Sequence, residues 1–121
     1  MRRISLSAHL KRQNAKLSEA EILSKILAYL KLTRIYAWRN SVGATVIGAG
    51  EHRRFVRFGH SGLSDIIGIL SGGRFLAIEV KSAKGRITPE QRAFLDNIEE
   101  RGGVAFVARS VEDVYHGLEG R

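Results

Sequence analysis

The stretch at residues 75–91, FLAIEVKSAKGRITPEQ, decides the fold because it joins an apolar strand, a charged strand end and the start of a helix. Side chains alternate between the two faces of a strand, so the aliphatic residues at positions 76, 78 and 80 share one face. The other face ends in an acid and a base, Glu79 and Lys81, just before a loop. A surface edge strand could carry such a pair at no cost, so its meaning depends on which other residues meet it.

The residues before this stretch predict a hairpin. Residues 65–70, DIIGIL, read as a strand, and a Gly-Gly pair then turns the chain into the strand at 74–82. A tight turn centred on Gly72 places Asp65 opposite Glu79, with a slip of one or two residues if the turn is longer or bulged. Because two opposed carboxylates repel each other, we predict that a hard divalent cation lies between them.

Mg²⁺ is the predicted ion, since it binds through few carboxylates, retains several waters and takes phosphate oxygens as its remaining ligands. Mn²⁺ also accepts oxygen ligands and is expected to substitute. Zn²⁺ favours cysteine or histidine, but the chain has no cysteine and its four histidines show no ligand spacing.

The remaining pattern predicts a mixed β-sheet flanked by helices, in the order αβ(β)ββαβα. The first helix spans about residues 18–32, with Ser18 as N-cap and Glu21 completing a capping box. We also predict a strand at 34–40, a loop at 41–53, a second strand or half of a hairpin at 54–59, a helix capped by Thr88, a strand at 104–109 and a closing helix at 111–118.

The helical wheel separates the two acids of the first helix. At about 100° per residue, Glu19 shares the azimuth of the apolar stripe, whereas Glu21 lies about 200° away, facing water. A carboxylate on the buried side needs a partner. The alternative is that Glu19 only complements the helix dipole.

Gln91 also has two interpretations. It lies three residues after Thr88, which is the position of a capping-box glutamine. Alternatively, its amide orients a water or a phosphate at the strand end.

Length and composition predict one domain, residues 1–121, whose first 17 residues are a basic arm or a short helix. There is no run of 18 apolar residues, and the charged N-terminal residues do not fit a signal peptide. The absence of cysteine excludes disulfides, thiol nucleophiles and thiolate metal sites. We therefore expect a soluble cytoplasmic protein of a bacterial or phage-infected cell.

Positive charge is concentrated in the first part of the chain. Residues 1–74 hold 13 lysines and arginines against 4 acids, whereas residues 79–121 hold 7 against 8. This uneven balance suits a polyanion such as DNA, whose affinity comes largely from phosphate neutralisation. A solvated basic surface or an acidic protein partner is the alternative.

Several segments together resemble the VRR-NUC family of the PD-(D/E)XK nuclease superfamily, over about residues 18–113. They are SEAEILSKILAYL, WRNSVG, GLSD, FLAIEVKSAKGRITPEQ and ERGGVAFVARSVED. An acid–x–Lys triplet alone is weak, but GxSD followed by IEVK, a glycine and a helix-opening Gln is specific in this order. Where the family usually has proline in its GxPD-like turn, this chain has Ser64, which is compatible with the turn.

The resemblance implies an α/β (α+β) fold with a restriction-endonuclease-like core and a metal-dependent site. It assigns catalytic roles to Glu19, Asp65, Glu79, Lys81 and Gln91, and a metal site to Asp65, Glu79, the backbone carbonyl of Val80 and Glu19. Lys81 would be the positively charged catalytic residue. The cations expected to contact DNA are Arg2, Arg3, Lys11, Arg12, Arg53, Arg54, Arg57, Lys84 and Arg86. Trp38 could stack on a base, pack in the core or lie at a dimer contact.

Stand-alone members of the family look like homodimeric, structure-selective nucleases similar in organisation to Holliday junction resolvases. The resemblance therefore implies a Mg²⁺-dependent endodeoxyribonuclease acting on Holliday junctions or other branched DNA, as a homodimer, with no small-molecule cofactor and no membrane association. The alternatives are a flap-type or non-selective nuclease, a non-cleaving DNA-binding module and a regulatory partner in a repair or phage recombination complex.

Overall fold

The computed structural model describes residues 5–40, 43–58 and 62–121, with the backbone alone at 43–46 and 56–58. In chain order, the helices and strands are α1 (Leu6–Asn14), α2 (Glu19–Leu32), β1 (Tyr36–Arg39), β2 (Gly43–Ile47), β3 (Arg54–Phe58), β4 (Ile66–Leu70), β5 (Arg74–Val80), α3 (Pro89–Glu100), β6 (Val104–Ala108) and α4 (Val111–Leu118). Short 3₁₀ turns lie at Gly50–His52 and Ser71–Gly73.

The main sheet has four strands in the order β1-β4-β5-β6. The β1/β4 and β4/β5 pairs are antiparallel and the β5/β6 pair is parallel, so the sheet is mixed. Strands β2 and β3 form a separate antiparallel ribbon. The predicted class, a mixed sheet flanked by helices, is confirmed.

The register of the β4–β5 hairpin is the one predicted from the Gly-Gly turn. Leu70 pairs with Arg74 and Ile66 with Ile78, so the next position outward sets Asp65 opposite Glu79. Gly72 has φ +80° within the turn, a backbone conformation that residues other than glycine rarely adopt. The short turn therefore brings the two predicted metal ligands to one end of the sheet.

Each face of β5 packs against different helices. Leu76, Ile78 and Val80 belong to a core cluster with buried residues of α2 and α4, whereas Ala77 packs with Leu95 of α3. The predicted alternation along β5 is thus confirmed. Glu79 shares the α3 face with Ala77, and its carboxylate is consequently buried.

The two predicted helix starts are confirmed by their capping hydrogen bonds. Ser18 Oγ accepts from Glu21 N at 3.2 Å, and Glu21 Oε1 accepts from Ser18 N at 3.3 Å. Thr88 and Gln91 make the same reciprocal pair at 3.1 and 3.0 Å. Both helices therefore begin where Ser18 and Thr88 predicted.

One segment was predicted incorrectly. The region 41–53 was expected to be a loop, but Gly43–Ile47 forms β2 and pairs with β3. Glycines at 43, 48 and 50 weaken the local strand signal, and the strand depends on its partner. The N-terminal segment, expected to be an arm or a short helix, contains α1.

Among the described residues, no helix is long and apolar enough to cross a membrane.

Candidate active site

Asp65 and Glu79 meet at the end of the sheet where β4 begins and β5 ends. Asp65 Oδ2 accepts a hydrogen bond from the backbone N–H of Val80 at 2.8 Å, which ties the carboxylate to the end of β5. The side chain of Glu79 is only 2% exposed. The charge of the nearby Asp65 carboxylate helps to raise the pKa of Glu79.

Glu79 is held in an environment that disfavours its charged form. Its pKa is raised to about 7, first by burial and second by repulsion from the Asp65 carboxylate. The Lys81 ammonium, 3.3 Å from Glu79 Oε1, opposes this rise. Among the described residues, Glu79 Oε2 is buried without a hydrogen-bond partner. The site thus contains a carboxylate oxygen that these residues leave unsatisfied.

These features fit a divalent metal ion. Both donors are hard oxygens, their mutual repulsion would be relieved by a cation, and Oε2 is available as a ligand. Among the described residues, however, no group of three or more histidine, aspartate or glutamate side chains gathers closely enough to hold a metal. The acidic side chains that this region offers as metal ligands are therefore the two carboxylates of Asp65 and Glu79.

Lys81 lies beside this pair at the start of the following loop. Its side chain is 12% exposed, and its backbone N–H donates to Ala108 O at 3.1 Å, continuing the parallel β5/β6 pairing beyond Val80. The ammonium group is thus positioned from a fixed backbone next to Glu79.

A cleft of about 510 Å³ opens beside Asp65. It is lined by Glu19, Ala20, Leu23, Ser24, Leu27, Arg39, Asp65 and Val80. Glu19 thus borders the same cleft as Asp65, whereas Glu21 is engaged in the α2 capping box. Both acids are exposed, so Glu19 is not buried as the wheel predicted, and ligation by Glu19 stays a prediction.

Gln91 is engaged at the start of α3. Its Oε1 accepts from Thr88 N, as the capping-box interpretation predicts. A role for its amide at the strand end stays a prediction.

The GLSD turn packs tightly before Asp65. Gly62 has φ +79°, and a Cβ there would lie 2.6 Å from the carbonyl oxygen of Glu90. Only glycine fits this approach to α3. Ser64, at the usual proline position, is buried, and its hydroxyl has no hydrogen-bond partner in the part of the chain that the structure describes.

Sequence reasoning missed two arginines at strand ends. Arg109 follows β6, and its Nη1 donates to the carbonyls of Ser82 and Gly85, each at 2.6 Å. Arg39 ends β1 and lines the cleft. The order of strands in the sheet would have indicated both residues, because it places the end of β1 beside β4 and the end of β6 beside β5.

Six of the predicted DNA-contacting cations have described side chains, and all six are exposed but lie on separate segments. Lys11 and Arg12 occupy the last turn of α1, and Arg53 and Arg54 lie at the start of β3. Lys84 and Arg86 are exposed in the loop after β5. Arg2, Arg3 and the side chain of Arg57 lie outside the described residues.

Comparison with known proteins identifies the domain. The VRR-NUC domain model matches residues 14–112, a range that includes Glu19, Asp65, Glu79, Lys81 and Gln91. A search of curated proteins finds no match. Because the family match covers most of the chain and every predicted catalytic residue, the protein belongs to the VRR-NUC domain family and is a nuclease-type domain.

Proposed function

We propose that this protein is a divalent-metal-dependent endodeoxyribonuclease that hydrolyses phosphodiester bonds in branched DNA. The observation that carries the proposal is the opposition of Asp65 and Glu79 at one sheet end, with the Lys81 ammonium 3.3 Å from Glu79. A protein that only bound DNA would have no use for two repelling carboxylates beside the phosphate backbone. The net charge of +8 supports a polyanionic substrate.

Asp65 and Glu79 would hold the ion, with the backbone carbonyl of Val80 as a further ligand and the Glu19 carboxylate at the border of the same cleft. When bound, Mg²⁺ or Mn²⁺ neutralises charge on the phosphate and lowers the pKa of a coordinated water. The Val80 N–H keeps Asp65 oriented through its 2.8 Å hydrogen bond. Glu79 is oriented by its burial and by Lys81.

Lys81 contributes a positive charge that the protein places before substrate arrives. Its ammonium would orient the attacking water or stabilise negative charge that develops on the phosphate oxygens. Because the side chain is only 12% exposed, solvent screens this charge little.

The ribbon of β2 and β3 supports DNA binding near the site. It is inserted in the chain between Arg39 and Asp65, which lie at adjacent ends of β1 and β4. A two-stranded ribbon is narrow enough to enter a DNA groove, and exposed Arg53 and Arg54 can neutralise phosphates.

A homodimer would account for selectivity towards branched DNA, because two sites related by a two-fold axis can cut symmetrically placed strands. An apolar patch supports this assembly. Tyr36, Ile69 and Phe75 are neighbours across β1, β4 and β5, and they are 69%, 44% and 38% exposed. Trp38, 43% exposed, packs edge-on to Tyr36 with ring centroids 5.3 Å apart. Since β1 is an edge strand, a second copy can reach this patch.

The test is cleavage of synthetic four-way junctions, flaps and linear duplexes with Mg²⁺, with Mn²⁺ and with EDTA. We expect metal-dependent cutting that is fastest on the junctions. Faster cutting of flaps, or equal cutting of all substrates, would replace the junction specificity with the flap-type or non-selective alternative. Cutting that persists in EDTA would contradict the metal site, and binding without cutting would indicate a DNA-binding module.

Replacing Lys81 tests its role separately. Lys81→Ala is expected to reduce the cleavage rate by about 10²–10³-fold, the usual loss when one transition-state charge partner is removed, while junction binding in EDTA persists. Lys31→Ala, which removes an exposed lysine from the last turn of α2, is the control. Wild-type activity in Lys81→Ala would exclude the proposed role.

A further inference from the structure

The cleft beside Asp65 contains a cation that the site described above does not use. Arg39 is the last residue of β1 and lines this cleft together with Glu19 and Asp65. It is exposed, and in the part of the chain that the structure describes no ion pair joins it to either carboxylate. Its guanidinium is therefore not committed to a structural contact there.

The strand pairing fixes where Arg39 lies. Arg39 is opposite Ile66, directly beside Asp65 in the chain. The next residue, Asn40, donates its backbone N–H to Asp65 O at 2.7 Å and its side-chain amide to Ser64 O at 3.4 Å. The end of β1 is thus tied to the segment that carries the predicted metal ligand.

The alternation of side chains explains why Arg39 enters the cleft. Ala37, two residues earlier, packs against the cluster formed with α2, so Arg39 shares the face covered by α2. Tyr36 and Trp38 lie on the opposite face and form the apolar patch. Arg39 is consequently directed towards the cleft and away from that patch.

The cleft has the size and lining of a nucleotide site. Its volume of about 510 Å³ falls within the usual range for small-ligand pockets, about 300–1,000 Å³. Leu23 and Leu27 of α2 form an apolar wall. Arg39 and Asp65 lie at the sheet end, and α2 adds the polar side chains of Glu19 and Ser24. A sugar and base could pack on this wall while the adjoining phosphates meet the sheet end.

We propose that Arg39 binds the phosphate adjacent to the scissile one, so that the nucleoside between the two phosphates lies against Leu23 and Leu27. A guanidinium suits this task, because its planar fork can donate two parallel hydrogen bonds to phosphate oxygens. The inference rests on the proposed nuclease function. It adds a substrate-binding residue at the α2 side of that site.

The kinetic test compares Arg39→Ala and Arg39→Lys with Arg121→Ala on the substrate that the wild-type protein cuts. Arg121 lies with Arg34 and Ser71 in a different cleft and provides the same loss of charge. Losing a charge-assisted contact predicts a fall of about 10–100-fold in kcat/KM for Arg39→Ala. Arg39→Lys should lie between it and the wild type, since it keeps the charge and loses the fork.

Single methylphosphonate substitutions along the cleaved strand then locate the contact. In the wild-type protein, neutralising the phosphate next to the cut should slow cleavage, and in Arg39→Ala the same substitution should have no further effect. Equal sensitivity in both proteins, or unchanged kcat/KM in Arg39→Ala, would overturn the proposal. If Arg39→Ala does not fold, Arg39→Lys and the wild-type phosphate scan still decide the matter.

Binding measured in EDTA separates this inference from the proposed function. The slope of the logarithm of the binding constant against the logarithm of the salt concentration reports the number of phosphate contacts. For the same DNA, this slope should be smaller by about one in Arg39→Ala and unchanged in Arg121→Ala. If the wild-type protein cuts no DNA but this difference is found, the nuclease proposal fails while the phosphate contact stands. If cutting is found and the difference is not, only the contact fails.

Discussion

At the scale of single residues, Glu79 shows how the site opposes the stability of the fold. The carboxyl group is 2% exposed, faces Asp65 and leaves one oxygen unpartnered. A residue chosen only for packing would be apolar here, as its neighbours Ile78 and Val80 are. The conflict is explained if a cation completes the site.

This conflict has a measurable pH dependence. Because the folded-state pKa of Glu79, about 7, lies above its ordinary value of 4.5, the extra stability of the protonated form is fully present below about pH 4.5. It is lost as the pH rises to about 7. The free energy of unfolding of the metal-free protein should therefore fall as the pH rises over this range.

Urea unfolding in EDTA can isolate this contribution. Glu79→Gln should be more stable than the wild type at pH 8 and differ much less from it at pH 5, because glutamine does not ionise. The exposed Glu100→Gln is the matched control. If the wild type instead gained stability relative to Glu79→Gln between pH 5 and 8, the folded protein would not raise the pKa of Glu79.

The residues that sequence reasoning missed share one property. Arg39 and Arg109 lie beside segments distant in sequence: Arg39 shares a cleft with Asp65, and Arg109 binds the 82–85 loop. In the sequence, each is a strand-end arginine that looks like a solvated charge. Asp65 and Glu79 were predictable because a short turn joins their strands and sets their register.

At the scale of elements, the first turn of α2 separates a site residue from a capping residue. Glu19 and Glu21 are both exposed and both complement the helix dipole, yet only Glu19 lines the cleft. We expect Glu19→Gln to lower cleavage at least tenfold while leaving the melting temperature nearly unchanged. Glu21→Gln should retain activity, since glutamine also completes a capping box. The opposite ranking of activities would contradict the assignment.

The loop after β5 depends on an arginine from β6. Nη1 of Arg109 holds the carbonyls of Ser82 and Gly85, and the loop carries the exposed Lys84 and Arg86. Arg109→Met should therefore accelerate amide exchange at residues 82–85. It should also destabilise the fold by about 2 kcal/mol, the scale of a hydrogen bond to a charged group.

Arg101→Met is the control for that substitution, because the guanidinium of Arg101 donates to Asn97 within α3 and not to the 82–85 loop, as far as the described residues show. Both variants lose one guanidinium, but only Arg109→Met should weaken DNA cleavage. If amide exchange at residues 82–85 is the same in the two variants, Arg109 does not hold the loop.

Prediction of the elements succeeded where local signals were complete. Each capping box and the Gly-Gly turn involves residues that are close together in the sequence. They mark the starts of α2 and α3 and the turn of the β4–β5 hairpin. Strand β2 was missed because glycines at 43, 48 and 50 surround its short β-branched run, Thr45 to Ile47, and made the whole segment look like a loop. Its pairing with β3, which supplies the hydrogen bonds, is not visible in the local sequence.

At the scale of the whole molecule, the two faces of the β1–β4 end differ in surface character. The face towards α2 holds the cleft, whereas on the other face Tyr36, Trp38 and Ile69 are exposed. Edge strand β1 contributes to both, through Arg39 and through its aromatic residues. A second copy bound at the apolar face would therefore leave the cleft of each subunit accessible to DNA.

The dimer predicted on this basis can be tested through Trp38. Trp38→Lys places a charge in the centre of the apolar patch, where burial against a second copy would remove it from water at a high cost. Light scattering coupled to size exclusion should show a dimer for the wild type and a monomer for Trp38→Lys. Tyr115→Lys, which alters an exposed aromatic residue of α4, should remain dimeric. A monomeric wild-type protein would exclude the homodimer, and a dimeric Trp38→Lys would place the interface elsewhere.

If the dimer is responsible for branched-DNA selectivity, the monomeric variant should lose its preference for junctions over linear duplexes while retaining metal-dependent cutting.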